Sequence, residues 1–421
     1  MNDLLQKKLL PVAMRLGNNK FMIAIRDGIT YSMPLIIIGS LFMIIASFPI
    51  PGWEKWLGDI GVAGYLWKGV DSSFGLVGLV SSFATTYTLV KQYKQDGIPA
   101  GIVSLSAFIT VTPFITGEAG SGIPTSYMAS KGLFIAIILG LLNGYIYQWF
   151  LNKDIRIRMP DGVPPAVSKS FSALIPGAVI ITSWLILFGF LDKCGLPNVH
   201  DIAQVVLGGP LGLLGSNVLG LSVIVVLNSL FWFAGLHGGN IVNSVIKPVL
   251  LANLDANRTA YQAGEALPNI FTSVFVDNFV FIGGGGATIG LVIAMFYLAR
   301  KKNASKQMKT LSPVTFLPGL FNINEPTMFG VPIVLNVLLL IPFVLAPIIN
   351  LYIAWGAMAS GLVPLTYTDP GWTMPPVISG LLATGSIKGA ILQVLLIIID
   401  VLLYLPFIMS IEKGFKKNEE G

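Results

Sequence analysis

Nine runs of apolar residues are long enough to cross a bilayer, at positions 29–50, 74–90, 98–116, 132–151, 171–191, 218–236, 281–299, 331–355 and 389–409. A hydrocarbon core of roughly 30 Å takes about 20 apolar residues as a helix, and only helices or closed barrels satisfy their own backbone there. Each run therefore predicts a membrane helix, and the fold class is an all-α polytopic membrane protein. Between the runs, 237–280 and 312–330 stand out as stretches with no clean apolar 20-mer. The first carries Lys247, Pro248, Asn253, Asp255, Arg258 and Glu265, which predicts broken or re-entrant helix. Such backbone is tolerated at membrane depth only where protein or a water-filled cavity surrounds it, and it points to a transporter's binding site.

Charge decides the orientation and the number of crossings. With the N-terminus inside, the inner segments of the first half hold Lys7, Lys8, Arg15, Lys20, Arg26, Lys91, Lys94, Lys153, Arg156, Arg158 and Lys169, and the outer loops only Lys55, Lys68, Lys131 and Lys193. Simple alternation then puts Arg300, Lys301, Lys302, Lys306 and Lys309 outside, along with the C-terminal Lys413, Lys416 and Lys417. One more crossing between His237 and Val280 restores both groups to the cytoplasm. That gives about ten crossings, with both termini cytoplasmic. Pro34, Pro176, Pro332, Pro342 and Pro347 lie inside the runs and read as kinks or close helix contacts.

Composition narrows the class. The 421 residues are 54% hydrophobic and 11% charged, against about 25% charged in a soluble domain, so little chain is left for an appended catalytic domain. A net charge of +6 fits basic cytoplasmic loops facing anionic lipid and calls for no nucleic acid. Cys194 is the only cysteine, which excludes an intrachain disulfide and a Cys-based metal site. No cofactor or metal is expected. Residues 1–21 are amphipathic without a small-residue cleavage site, which predicts an interfacial helix and not a removed signal peptide.

Two constellations carry chemistry. The first is Phe321-Asn322-Ile323-Asn324-Glu325-Pro326-Thr327-Met328-Phe329-Gly330, directly before an apolar run. An intramembrane carboxylate is costly unless paired or hydrated. A hairpin tip at Pro326 and Gly330 would offer Glu325 and two carboxamides to a cavity, a composition suited to sugar hydroxyls; a cap in which Glu325 only satisfies backbone amides is the alternative. The second is Phe231-Trp232-Phe233-Ala234-Gly235-Leu236-His237-Gly238-Gly239-Asn240, where the glycines allow a helix break and close ligand approach. Asp277 and Asn278, before Gly283-Gly284-Gly285-Gly286, either line the site or start a helix. The glycine run lacks the lysine of a phosphate-binding loop and reads as tight helix packing. Arg26-Asp27 reads as an interfacial ion pair, Asn143 as a helix-pairing residue, Gln393 and Asp400 as pairing or cavity-facing, and His200 as a solvated loop residue. An intramembrane enzyme is disfavoured, since HExxH, GxSxG and paired aspartates are absent from the spans.

These two constellations resemble motifs of the sugar-translocating IIC permeases of bacterial phosphotransferase systems, in the lactose, cellobiose and diacetylchitobiose branch and most like the diacetylchitobiose member. The resemblance extends to Arg26-Asp27-Gly28, to residues 33–40, to the glycine run and to Met374-Pro375-Pro376. It implies a homodimer in the bacterial cell membrane, with residues 1–200 as an N-terminal helical domain forming the interface. Residues 201–421 become the transport domain, with two re-entrant hairpins. It further implies that His237 and Glu325 orient the C6 hydroxyl of a disaccharide and that Trp372 stacks on the sugar; Gly239, Asn240, Asn324, Asp277 and Asn278 are the further candidates to line it. Cys194 lies in a predicted outer loop and is no phosphocarrier, so a separate cytoplasmic EIIB, fed by EIIA, is the implied partner. An ion-coupled secondary sugar transporter with Glu325 as the ion site is the competing function.

Overall fold

The computed structural model describes residues 14–15, 18–48, 50–117, 120–331, 333–334 and 336–420, nearly all of them in helices and their connecting turns. Most of the expected N-terminal interfacial helix, and Pro332, lie outside the described residues. Among the described residues, six helical segments are long and apolar enough to cross a membrane: Lys20–Ala46, Ala63–Gln92, Ser130–Asn152, Pro165–Lys193, Leu338–Ala359 and Ile387–Glu419. Val199–Gly215 and Val218–Phe233 form a further pair bent by 81°, and Gly97–Val111 and Ile289–Ala299 are shorter apolar helices. Each of the nine apolar runs thus contains helix.

Three expectations are corrected. The run 98–116 ends its helix at Val111, because Thr112 turns extended and Pro113 cannot donate a backbone hydrogen bond. Ile115–Gly117 then pairs antiparallel with Gly120–Gly122. The run 281–299 is helical only from Ile289, its first residues being a bend with Gly283, Gly284, Gly286 and Ala287 at positive φ. In the stretch 237–280, expected to be broken or re-entrant helix, Gly238–Gln262 is one continuous 25-residue helix with Pro248 inside it, and the break comes only after it, where residues 263–272 are not helical before Ser273–Phe275. Its polar residues explain the continuity. Asn253 Nδ2 donates to Phe271 O at 2.7 Å, and Asn257 Nδ2 donates to Asn269 O at 2.7 Å and Thr366 O at 2.8 Å. Their carboxamides are used to pin neighbouring loops.

The chain divides into two compact units. In the unit of Arg15–Phe42 and Gly64–Gly212, small residues let helices touch. Gly28 and Gly140 both face Thr85, and a Cβ on either would collide with it. Asn143 pairs helices as expected: its Nδ2 donates to Ser104 Oγ at 3.1 Å and its Oδ1 accepts from Trp184 Nε1 at 2.7 Å. Arg26 Nε lies 2.6 Å from Asp27 Oδ1, the expected ion pair. Between spans, Asp96 caps the helix Gly97–Val111 through Ile98 N at 3.1 Å. Its hydrogen bond to Lys169 holds its carboxyl below the usual carboxylate range.

His200 is not a solvated loop residue; it is wholly buried. Its Nε2 lies 2.9 Å from Thr112 Oγ1, and its ring meets Phe108 edge-on at 5.3 Å and Tyr127 at 4.7 Å. The Thr112 hydroxyl takes up Nε2, while Nδ1 is enclosed with no hydrogen-bond partner among the described residues.

The second unit, Met43–Ala63 with Leu213–Gly421, holds both constellations. Its core includes Trp232, Leu291, Met295, Met328, Phe343 and Tyr404.

Candidate functional site

Four helix ends and one bend build the site. The helix Val218–Phe233 ends just after Trp232, and the chain reverses through Gly235 at φ +80. His237 then caps the helix Gly238–Gln262 with its own ring, Nδ1 accepting from Asn240 N at 3.1 Å. That acceptor role leaves Nε2 as the protonated nitrogen of the neutral ring. The imidazole leans on the Trp232 indole at a centroid distance of 4.2 Å. Gly238 is required here, because a Cβ would strike Asn228 and Trp232. Gly239 has only ordinary contacts to the His237 ring.

The helix Lys306–Leu320 ends in a turn with Asn322 at φ +60. Glu325 opens the short helix Glu325–Gly330, and Pro326 sits in its first turn, where its missing N–H is harmless. The tip of the reversal is therefore at 321–324, before the Pro326 and Gly330 expected to form it. Glu325 Oε1 lies 3.6 Å from His237 Nε2, with the two side chains 47% and 43% exposed. That gap is too long for a direct hydrogen bond. An N–H donor and a carboxylate acceptor instead stand side by side, open to a third group. A hydroxyl, which both donates and accepts, fits that pair. Among the described residues Glu325 caps no backbone amide, so the capping alternative finds no contact in the structure.

The amides around Glu325 brace the site. Asn322 Oδ1 accepts from Gly283 N at 2.7 Å, and its Nδ2 donates to Trp372 O at 2.6 Å and Met374 O at 3.2 Å. Asn324 is buried, and its Nδ2 donates to Gly285 O at 3.0 Å. The glycine run accordingly lies against both Asn324 and Trp232. Trp372 is 42% exposed, its carbonyl held by Asn322.

Asp277 and Asn278 lie in the turn Val276–Val280. Asp277 Oδ2 is 2.6 Å from Lys247 Nζ, which ties this turn to the helix capped by His237. Asn278 is 2% exposed, and neither its Oδ1 nor its Nδ2 has a hydrogen-bond partner among the described residues. Lys247 was not singled out as a site residue by sequence; thirty positions separate it from Asp277, and no local spacing marks the pair. Asn240, Asn243 and Lys247 do fall three and four apart, which puts them on one helix face below His237.

Membrane-crossing helices around a paired donor and acceptor, carried on helix ends braced by asparagines, define a polytopic permease for a polar solute. Residues 26–347 match the family model for the phosphotransferase system EIIC, and the chain belongs to that family. Over 438 residues it is 43% identical to the lichenan permease IIC component of Bacillus subtilis (strain 168), covering 100% of this chain and 95% of the relative. It is 42% identical to the cellobiose-specific EIIC component of the phosphotransferase system of Geobacillus stearothermophilus, covering 99% of this chain and 96% of that one. A crystal structure of the transporter ChbC, the IIC component from the N,N'-diacetylchitobiose-specific phosphotransferase system, superposes with a TM-score of 0.92 at 37% identity, covering 99% of each chain. The chain is a membrane permease component and not itself the catalytic partner.

Proposed function

We propose that this chain translocates a β-linked disaccharide and presents its C6 hydroxyl to phosphorylated EIIB, which EIIA supplies. The observation that carries the reading is the His237–Glu325 pair, 3.6 Å apart and half exposed. A sugar hydroxyl between them would donate a hydrogen bond to the carboxylate and accept one from Nε2–H, leaving its oxygen oriented for phosphoryl transfer, with Glu325 placed to receive its proton as the phosphoryl group arrives. Phosphorylation makes the product charged and traps it inside. Asp277, the unpartnered carboxamide of Asn278, Asn240 and Gly239 would line the sugar, with Trp372 against a ring face. Asn324 contributes by holding the glycine run. The higher identities to the lichenan and cellobiose components than to the diacetylchitobiose structure favour a glucose disaccharide over the diacetylchitobiose suggested by motif alone. Lactose comes third.

The test is uptake into vesicles holding the purified chain. Cellobiose should appear inside as its phosphate only when phosphoenolpyruvate and the soluble phosphocarriers, EIIA and EIIB included, are present. Accumulation of unmodified sugar on an ion gradient alone would replace this reading with an ion-coupled transporter. Cys194→Ser should leave phosphorylation unchanged, since Cys194 is an exposed free thiol at a helix end.

In the same reading residues 1–200 form the interface of a homodimer and residues 201–421 the sugar-carrying domain. About ten crossings, with re-entrant hairpins after His237 and before Gly330, leave both termini cytoplasmic. The five basic residues between Arg300 and Lys309 make that loop the decisive reporter. In a Cys194→Ser background, a cysteine at exposed Asn303 should react with impermeant maleimide only from the cytoplasmic side, and one at exposed Ser121 only from outside. Labelling of Asn303→Cys from outside would remove the extra crossing. Ser305 makes a poor reporter, being buried with its Oγ on Glu412 Oε2 at 2.6 Å.

A further inference from the structure

The helix Ile387–Glu420 carries Gln393, Asp400 and Tyr404, spaced seven and four apart and so on one face; each is wholly buried. All three face the segment 276–290. Gln393 Nε2 donates to Asn278 O at 2.7 Å, and its Oε1 accepts from Val377 N at 2.6 Å and Gly380 N at 2.8 Å. Tyr404 donates its hydroxyl to Gly286 O at 2.7 Å. Asp400 stands between them, against Gly290, where a Cβ would strike its backbone.

Asp400 differs from its neighbours in what it lacks. Its Oδ2 accepts from Asn350 Nδ2 at 3.0 Å, and the same Nδ2 lies 3.4 Å from Val280 O. Among the described residues, Asp400 Oδ1 and Asn350 Oδ1 are enclosed and have no hydrogen-bond partner. Among the described residues no Lys, Arg or His pairs with Asp400. An ionised carboxylate here would be an unpaired charge in mid-span, which membrane helices avoid, and it would leave two acceptors facing no donor. One proton removes the charge and supplies the missing donor.

We propose that Asp400 is a proton-binding site occupied throughout transport: a neutral carboxylic acid, hydrogen-bonded with Asn350, that acts as a positioning residue for the segment 276–290. Gln393 and Tyr404 grip the segment at Asn278 and Gly286, and the acid–amide pair holds its middle at Val280. The helix thereby fixes the glycine run on which Asn322 and Asn324 rest, without placing a charge inside the bilayer.

Infrared spectroscopy of the full chain in nanodiscs tests this directly. The wild type at neutral pH should show the carbonyl stretch of a protonated carboxylic acid. That band should shift on labelling aspartate with carbon-13, disappear in Asp400→Asn and persist in Glu325→Gln. A folded wild type without the band, or a band that survives in Asp400→Asn, overturns the proposal. Asp369 is a further carboxylate of this unit, its Oδ1 accepting from Gly371 N at 2.9 Å. Should Asp400→Asn not fold, labelled Asp369→Asn and Asp277→Asn carry the assignment, since Asp400's band must remain in both and its loss in either rejects it. The affinity arm rests on the sugar reading. Asp400→Ala should lose about ten-fold in cellobiose affinity, a loss typical of one buried hydrogen bond, and Asp400→Asn should recover most of it because its amide keeps a donor and an acceptor. Equal affinity in the two variants removes the positioning role. If wild type binds no sugar at all while the band is present, the sugar reading fails and the proton site stands.

Discussion

Glu325→Gln should abolish phosphotransferase-dependent sugar uptake while leaving the protein folded and in the membrane. Glutamine keeps the length and one acceptor oxygen but removes the charge that makes a carboxylate hydrogen bond stronger than a neutral one. Glu325 is 47% exposed, and its contact is the His237 ring at 3.6 Å, so no buried partner is stranded by the change. Sugar binding should weaken by about 1 to 3 kcal/mol, the range for losing a hydrogen bond to a charged group. Isothermal titration with cellobiose reads the loss of binding and vesicle uptake the loss of transport. His237→Ala should follow in the same direction, because it removes both the Nε2 donor and the cap on Asn240 N. Wild-type uptake by Glu325→Gln would end the role assigned to the pair.

Gly286→Ala should prevent stable folding. Gly286 has φ +79, and a Cβ there would run into the Phe343 ring, which is wholly buried in the core. Left-handed backbone costs a residue with a Cβ about 1 to 2 kcal/mol, and overpacking a core adds about 1 to 3 kcal/mol. Both penalties fall on the bend that presents its carbonyl to Tyr404. Gly264 separates the two terms. It has φ +71 with nothing within 4 Å of a would-be Cβ, so Gly264→Ala should pay only the backbone cost. Thermal unfolding followed by size exclusion should show a small shift for Gly264→Ala and loss of the monodisperse species for Gly286→Ala. Equal behaviour would mean that the Phe343 ring yields and the bend is softer than its packing implies.

The sequence by itself determined the class, the family and the two motifs at the centre of the site. Apolar runs long enough for a bilayer depend only on composition and length, and a hydrocarbon surround leaves the backbone no alternative to helix. The family was legible because the residues around His237 and Glu325 form two contiguous strings. Where a helix stops inside a run was less legible: hydropathy does not register the extended Thr112 before Pro113, or a bend in which Gly283, Gly284, Gly286 and Ala287 turn the backbone at positive φ.

What only the tertiary structure decided is the set of contacts between residues remote in sequence. His237 and Glu325 come within 3.6 Å across 88 positions, and Lys247 finds Asp277 across thirty. Asn322 links the glycine run to the loop of Trp372. His200 reads as loop from its neighbours in sequence, yet Phe108, Thr112 and Tyr127 enclose it. Gln393 and Asp400 read only as polar residues in an apolar run, and the carbonyl or carboxamide each meets lies at least 50 positions away. The physical reason is that burying a polar group requires a partner. A sequence shows that the requirement exists, but the partner is chosen by how the helices pack.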